Sequence, residues 1–498
     1  MRLRWAVLVC APWLLGAGPA PVTYTLTPKI VDGRLDHVAV QLEFAGDPDG
    51  LTEVRLPDRF NGETALHRHL TDLTVTGAAL SRPEPAKLRL SHKPGAALSL
   101  QYRVVNGRGP RAVVDYRPDL GAEGFTVLGE TVFAYPSGRL SRGARVTPIA
   151  APPGWTTASD LARATTVEDV LESVVTAGRD VRQVTRATPA GPLTVALRGQ
   201  FAFTAEAFAD RLSRMLAAQR AVHGEPAGPF LAVVQGLPED PGRFTRDGVG
   251  RGDAAAYFIS SEESLNLADR IMAHEPVHAW LPRKVGGLPR GAAEPGAYWF
   301  SEGFADFVAL RSLAHADLWS QGPASLGHYV SGLNARVDVD AVGGEGAIPN
   351  SRIVEGYGSR PELRSLPYRR GLALALIWDS RLRAATAGRT GVDDVLRAMR
   401  ARAAAAGAAG PTADVLFPRI YRELGGPDLS ADIAAHVRDG RPIIWPDTLY
   451  DGCVRVIAVR SEPILSQAPL STINRDLELA PGLSETALAA CRRQILGG

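Results

Sequence analysis

Alternating apolar and polar positions run through the first third of the chain, from Tyr24 to about residue 185. The clearest segments read HVAVQLEF, ALSLQYRVV and GFTVLGETVFAY, and turn residues separate them. A period of two places successive side chains on opposite faces of a strand, and short strands between turns are typical of a β-sandwich. The pattern predicts a β-sandwich-like N-terminal domain over residues 21–188.

The pattern changes near residue 189, where strands and helices begin to alternate and helices then dominate. Strands are predicted at 193–197 and at FLAVVQGLP. Ser260 and Glu263 fit a capping box that would open a helix containing HEPVH. Beyond DGRPIIWPDTL the pieces are short and strand-like, so we expect a small C-terminal extension over 446–498. The remaining predicted helices are TAEAFADRLSRMLAAQRAVHG, 299–313, 368–386 with Pro367 near its first turn, and VDDVLRAMRARAAAA.

The composition supports a globular protein without a strong charge preference. The chain has 498 residues, of which 45% are hydrophobic and 22% charged, with a formal net charge of +2. That balance supports an ordinary apolar core and gives no indication of a nucleic-acid partner. The whole chain is thus expected to be a multidomain α+β protein.

The first 20 residues have the features of a secretory signal peptide. Arg2 and Arg4 form a basic start, an apolar run follows over residues 5–15, and small residues come next. We therefore expect an exported protein, secreted or periplasmic, although an uncleaved membrane anchor is the alternative. No later segment reaches ~18 uninterrupted apolar residues, so no transmembrane segment is expected in the mature chain.

Cys453 and Cys491 are the cysteines that remain after removal of the signal peptide. In an oxidising compartment such a pair can form a disulfide. Two unpaired buried thiols are the alternative.

The segment MAHEPVHAW, residues 272–280, contains His-Glu-x-x-His. On a helix, His274 and His278 would lie on one face, and both imidazoles could reach a single zinc ion. Glu275 would stand beside the first of them and could activate water. Pro276 has no N–H, so the carbonyl of Met272 would lose its helical partner and the helix would kink.

Two further segments accompany this motif. They are YWFSEGFADF, which contains Glu302 and Asp306, and PYRRGLALALIWDSRLR, which contains Tyr368. Together with HEPVHAW they resemble, in order and type, the motifs of the gluzincin metallopeptidases of the glycyl aminopeptidase family. The similarity covers roughly residues 24–450 and is strongest over 271–385.

The resemblance implies a mostly helical, thermolysin-like catalytic domain over 189–445 with one Zn²⁺ per chain. The zinc ligands would be His274, His278 and Glu302. Asp306 lies four residues after Glu302, on the same helical face, and could accept a hydrogen bond from a ligating imidazole. The alternative for Glu302 is a solvated carboxylate on a helix surface.

The resemblance also implies catalytic roles. Glu275 would be the general base, and Tyr368 would stabilise the oxyanion, for which Tyr357 is a weaker candidate. The family has a glutamate on an edge strand beside the substrate, whereas the comparable segment here reads GVGRGDAAAYFIS. Asp253 could replace that glutamate as the anchor for a substrate's free amino group.

We therefore expect a zinc-dependent metallopeptidase that acts on peptides through a zinc-activated water, most simply as an aminopeptidase. A catalytically impaired peptide-binding relative is one alternative. A zinc endopeptidase is the other, because the anchor for the amino group is not established by the motif.

Overall fold

The computed structural model describes residues 20–109, 114–237, 245–289, 291–318, 324–334, 347–406, 410–461 and 472–497. The predicted signal peptide, apart from Ala20, lies outside these residues. Within them, none of the helices combines the length and apolar character that crossing a membrane requires.

Strands that pair mostly in antiparallel fashion build the N-terminal region. They are β1 (Val22–Val31), β2 (Arg34–Ala45), β3 (Leu51–Arg55), β4 (Arg59–Phe60), β5 (Glu63–Thr64), β6 (Leu70–Thr76), β7 (Ala79–Glu84), β8 (Lys87–Ser91), β9 (Ala97–Val104), β10 (Asp119–Gly121), β11 (Gly124–Leu128), β12 (Tyr135–Pro136), β13 (Ala144–Val146), β14 (Thr156–Ser159) and β15 (Val174–Gly178). Their sheets have the orders β13-β1-β2-β9-β6, β12-β3-β8-β7 and β10-β11-β15-β14, and β4 pairs with β5 as a separate hairpin. Two short helices, α1 (Gly129–Val132) and α2 (Val167–Leu171), connect strands here.

The predicted alternation produces the core of these sheets. Burial alternates along β1, and Tyr24 pairs with Leu42, which pairs in turn with Leu100. These side chains join one apolar cluster with Val54 and Leu88 of the neighbouring sheet. A shared core between two sheets is the arrangement expected for a β-sandwich-like region.

A mixed sheet follows. Its strands are β16 (Val181–Arg186), β17 (Leu193–Arg198), β18 (Phe230–Leu237), β19 (Arg246–Arg251) and β20 (Ala254–Ser260), in the order β16-β17-β18-β20-β19. Strands β17, β18 and β20 run parallel, and β19 is an antiparallel edge strand. The strand predicted at 193–197 is confirmed as β17. The helix predicted after it is α3 (Ala205–His223), with Thr204 as its N-cap and Gly224 at its C-terminal end.

Helices form most of the remaining structure. They are α4 (Leu265–His274), α5 (Tyr298–His315), α6 (Ala324–Asn334), α7 (Asn350–Gly356), α8 (Pro361–Arg364), α9 (Leu366–Ala385), α10 (Val392–Ala406), α11 (Ala413–Glu423), α12 (Ser430–Asp432) and α13 (Glu485–Leu496). Helices α5, α9 and α10 confirm three predicted helices. Gly303 on α5 and Gly371 on α9 let these helices cross closely, because a Cβ at Gly371 would lie 2.8 Å from Cα of Gly303. This crossing brings the segment of Glu302 beside that of Tyr368.

The capping box predicted at Ser260 and Glu263 is wrong. Ser260 is the last residue of β20, and the N-cap of α4 is Ser264. The buried carboxylate of Glu263 instead accepts a hydrogen bond from Arg246 at 2.8 Å. The Arg246–Glu263 pair therefore joins the segment between β20 and α4 to the start of β19, a contact that the spacing of Ser260 and Glu263 does not indicate.

The C-terminal extension contains strands β21 (Thr448–Leu449), β22 (Val454–Ser461) and β23 (Thr472–Leu479), as predicted, and also α13, which was not predicted. Ser484 caps α13 by accepting a hydrogen bond from the N–H of Ala487. The predicted disulfide between Cys453 and Cys491 is confirmed, and it joins α13 to the start of β22 across 38 positions. The domain limits at residues 20, 188 and 445 stay predictions.

Candidate metal centre

The edge strand β19 and the chain around HEPVH form one wall of the candidate site. Glycines on β19 allow the two to touch. A Cβ at Gly248 would lie 2.5 Å from Cγ of Glu275, and one at Gly250 would lie 2.6 Å from Cβ of His278. Real Cβ atoms do not come so close, so glycine is required at both positions for this packing.

The expected kinked helix through HEPVH is not observed. Helix α4 ends at His274, and Glu275–Ala279 form a 3₁₀ turn with Pro276 in its first turn, where proline is tolerated. The carbonyl of Met272, which Pro276 deprives of a helical donor, accepts a hydrogen bond from the Tyr257 hydroxyl at 3.3 Å. The structure thus accommodates the proline by ending the helix and by supplying a replacement donor from β20.

Three ligand-type atoms converge where α4, the 3₁₀ turn and α5 meet. The distance between Nε2 of His274 and Nε2 of His278 is 3.1 Å, and these atoms lie 3.3 Å and 3.4 Å from Oε2 of Glu302. Tetrahedral ligands at zinc–nitrogen and zinc–oxygen distances of ~2.1 Å stand about 3.4 Å apart. The spacing of the three atoms therefore fits a single zinc-sized ion.

Hydrogen bonds on the far side of each imidazole set its tautomer. Nδ1 of His274 lies 2.8 Å from Oδ1 of Asp306, and Nδ1 of His278 lies 3.2 Å from the carbonyl oxygen of Leu281. Arg270 donates to both carboxylate oxygens of Asp306 at 3.0 Å. With the protons on Nδ1, both Nε2 atoms present lone pairs to the point that Glu302 also faces, which is the donor set that zinc requires.

The charges of this cluster favour a dication. Glu275, Glu302 and Asp306 supply three carboxyl groups, and among the described residues Arg270 is the one arginine or lysine paired with any of them, so neutral imidazoles leave an excess of negative charge. Burial lowers the pKa of His274, but hydrogen bonds to Asp306 and Glu302 raise it more, to about 10. The same surplus of negative charge that would hold a proton here would hold a metal ion.

Glu275 lies inside the cleft beside the three converging atoms and is itself buried. Burial raises its pKa to about 7, against the opposing effect of His274 and His278. A carboxyl group whose pKa lies near neutrality is suited to exchange protons with a substrate at neutral pH.

Tyr368 and Tyr357 both reach the site. The ring of Tyr368 stacks on that of His274, with centroids 5.9 Å apart, and the two tyrosine hydroxyls are hydrogen-bonded to each other. Burial raises the pKa of Tyr368 well above its ordinary value, and the charge of Glu302 raises it further. Its hydroxyl therefore stays protonated and able to donate.

Asp253, proposed from the sequence as an anchor for an amino group, does not line the cleft. It occupies the exposed turn between β19 and β20, and its carboxylate faces Lys284 at 3.9 Å. The family's glutamate lies on an edge strand, whereas Asp253 lies in the turn after β19, which directs its side chain towards solvent.

The cleft has a volume of about 2410 Å³, and residues of the N-terminal region help to line it. Several residues that line the cleft were not predicted from the sequence. Glu294 and Tyr298 precede Glu302 at intervals of four residues, a helical spacing that could have identified them. The contributors from outside the helical region had no such signal, and they include the β4–β5 hairpin, Tyr116 and Glu130.

Comparisons with known proteins give a likeness of fold. No family model and no curated protein matches the chain. An aminopeptidase N family protein from Idiomarina loihiensis is similar in structure, with a TM-score of 0.71 at 15% identity over 88% of this chain and 79% of that one. An M1 zinc metallopeptidase from Deinococcus radiodurans gives 0.55 at 15% identity, over 85% and 94%. A mutant of that enzyme bound to a Tyr-Ser-Ala substrate gives 0.53 at 15% identity, over 85% and 94%. The chain thus has the mixed α/β, multidomain fold of these metallopeptidases.

Proposed function

We propose that this protein is an exported zinc metallopeptidase that removes N-terminal residues from peptides. One observation carries the proposal: three ligand atoms stand 3.1–3.4 Å apart in a large cleft, with the carboxylate of Glu275 beside them. The fold likeness to an aminopeptidase N family protein and to a peptidase with a bound tripeptide supports the same chemistry.

His274, His278 and Glu302 would hold one zinc ion. Zinc in such a site supplies a Lewis acid for the scissile carbonyl and for the attacking water. The Asp306 carboxylate and the Leu281 carbonyl keep the imidazoles oriented, because each accepts the Nδ1 proton.

Glu275 would take a proton from the attacking water and later deliver it to the leaving amine. Tyr368 would donate its hydroxyl proton to the oxygen that becomes negative as the carbonyl is attacked. The free edge of β19 would pair with the extended substrate, since an edge strand presents unpaired backbone groups.

The finer assignments rest on the sequence. The motifs HEPVHAW, YWFSEGFADF and PYRRG support membership of the glycyl aminopeptidase family. The basic and apolar character of residues 1–20 supports export to the periplasm or the medium. Both assignments, and the preference for N-terminal residues, belong to the proposal.

A peptide digest tests the proposed activity. The purified protein should cleave a mixture of free-amine peptides, and a chelator should abolish the cleavage until zinc is restored. Glu275→Gln should retain stoichiometric zinc and lose about 10²–10⁴-fold in kcat, because the base is removed while the three ligands remain. Mass spectrometry of the digest and elemental analysis of the protein provide the readouts.

Asp253→Asn is the matched control for this variant, since it removes a carboxylate outside the cleft, and it should behave as wild type. Wild-type turnover by Glu275→Gln would exclude Glu275 as the base. Stoichiometric zinc without cleavage of any peptide would favour a peptide-binding protein instead.

A further inference from the structure

The β4–β5 hairpin extends from the N-terminal region over the candidate cleft. Its turn residues Asn61 and Gly62 have φ values of 44° and 91°, as a tight two-residue hairpin turn requires. Residues 59–64 line the cleft, and the turn itself is exposed. The hairpin is therefore a short, well-defined projection and not part of either wall.

One side of the hairpin is anchored to the wall that carries β19. The guanidinium of Arg251 lies over the ring of Phe60, 4.8 Å from its centroid. Phe60 also packs edge-on against Tyr116, with centroids 5.6 Å apart, and the Tyr116 hydroxyl donates to Asp247 on β19 at 3.0 Å.

The tip of the hairpin reaches the opposite wall, which carries the tyrosines. A Cβ at Gly62 would lie 2.6 Å from Nη2 of Arg364, so the two segments are in contact. Arg364 in turn donates to the carbonyl oxygens of Tyr357 and Gly358 at 3.2 Å and 3.3 Å. The hairpin thus touches both walls of the cleft.

A polypeptide cannot run past a point where both walls are bridged. We propose that residues 59–64 form a strap that closes one end of the cleft, so that only a chain end, and specifically a free N-terminus, can enter. This inference rests on the proposed peptidase function and names the element that restricts it to chain ends.

The charges beside the strap decide which chain end fits. The two arginines of β19 are both paired, Arg251 with Glu130 and Arg246 with Glu263. Glu294 accepts a hydrogen bond from the Tyr298 hydroxyl at 3.2 Å, and no cation of the described residues lies within salt-bridge distance of it. A carboxylate in the cleft that has no such cation partner would attract a terminal ammonium group and would repel a terminal carboxylate.

Glu294 lines the same cleft as the proposed zinc ligands. Burial raises its pKa, the charges of Glu130 and Glu302 contribute to the same shift, and Arg251 opposes it. An ammonium group placed among these carboxylates would relieve their repulsion. We therefore assign Glu294 as the residue that selects a free amino group.

Three forms of one twelve-residue peptide test the strap: free, N-acetylated, and cyclised head to tail. The zinc-loaded wild-type protein should shorten the free peptide from its N-terminus and leave the other two intact. Replacing residues 59–64 by two glycines should introduce internal cleavage of the acetylated and cyclic peptides. Product masses identify each bond that is cut.

Glu294→Gln should raise the KM for the free peptide about 10–100-fold, as expected for the loss of one charged hydrogen bond, with zinc content unchanged. Asp253→Asn, outside the cleft, should leave the KM as in wild type. An unchanged KM for Glu294→Gln would overturn the assignment of Glu294.

Cleavage of the cyclic peptide by the wild-type protein would overturn the strap, and this arm does not depend on whether the shortened variant folds. If the protein removed residues from the C-terminus of the free peptide, the proposal that the closed end of the cleft binds an amino group would be overturned. Failure of the zinc-loaded protein to cut any of the three peptides would instead overturn the proposed function, and the strap with it.

Discussion

Two buried histidines, His274 and His223, have the same kinds of neighbouring residues but differ in the balance of charge around them. Each lies next to a carboxylate: His274 contacts Asp306 at 2.8 Å, and Nε2 of His223 is 3.7 Å from Oδ1 of Asp393. Each also packs against an aromatic ring, Tyr368 for His274 and Trp280 for His223. Burial and a carboxylate partner therefore do not by themselves identify a metal-binding histidine.

The charges around His223 are balanced. Arg311 pairs with Asp393, and it also donates to the carbonyl of Leu496 at 2.9 Å, at the end of α13. Arg383 likewise pairs with Asp379 at 2.9 Å. Burial lowers the pKa of His223 to about 4, with Asp393 opposing the shift and Arg311 adding to it. His223 is thus a neutral histidine within a sealed ionic cluster.

The charges around His274 are not balanced, and its cluster opens to the cleft. Asp306, Glu302 and Glu275 outnumber the single Arg270, and the free lone pairs of the imidazoles point to one position. The difference between the two clusters indicates that a metal site is distinguished by an excess of negative charge and by converging lone pairs.

His278→Ala should produce the largest difference between the two histidine clusters. Removing one of three ligands should release the zinc and with it the peptidase activity. The matched control is His223→Phe, which removes a buried histidine from the balanced cluster and should keep stoichiometric zinc. Elemental analysis measures both, and full zinc in His278→Ala would place the metal elsewhere.

Arg311→Met should reduce the free energy of unfolding through the loss of a buried cation. Breaking a buried ion pair on one side costs about 3–5 kcal/mol, because Asp393 would be left buried without its cation. Arg381→Met, which breaks the half-exposed pair with Asp432, should cost less than about 1 kcal/mol. Urea unfolding compares the two, and equal losses would contradict the balanced-cluster interpretation.

Tyr368→Phe should lower kcat about 10²–10³-fold with a smaller change in KM, since its hydroxyl would act only as negative charge develops. Zinc content should be unchanged, because the ring that stacks on His274 is retained. Tyr357→Phe should have a smaller effect on kcat. If Tyr357→Phe instead lost activity and Tyr368→Phe kept it, Tyr357 would be the oxyanion donor.

The pH dependence of stability should show the smallest effect. His223 and His315 both have a pKa of about 4 in the folded protein, below the ordinary value of 6.5. Protons therefore bind the unfolded chain more readily, so stability should fall as the pH drops from 6.5 towards 4 and be insensitive to these groups above 6.5. His223→Phe should reduce this loss in urea unfolding between pH 7.5 and pH 5. An unchanged slope would show that His223 is not held neutral.

Patterns of short range predicted much of the fold. The alternation in β1 and β2, the helical spacing of α3, α5, α9 and α10, and the disulfide between Cys453 and Cys491 all agree with the structure. The errors occur where a residue has a distant partner. Ser260 and Glu263 have the spacing of a cap, but Glu263, which follows β20, is bound to Arg246 at the start of β19.

The candidate site shows the same difference between features set by neighbouring residues and features set by distant contacts. The sequence by itself determined the types and spacing of the proposed ligands, because His274, Glu275 and His278 lie within five residues and Glu302 follows in the predicted helix at 299–313. Only the tertiary structure decided how Pro276 is accommodated, since the replacement donor Tyr257 belongs to β20.

Tertiary structure also decided which carboxylates face the cleft. Asp253 faces solvent, whereas Glu294 lines the cleft. Glu130 pairs with Arg251, 121 positions away, and Tyr116 bonds to Asp247, 131 positions away. Periodicity and capping act over a few residues, so a sequence records them directly. Contacts between segments more than a hundred residues apart depend on how whole sheets and helices pack, and that packing sets the walls, the strap and the charge of the cleft.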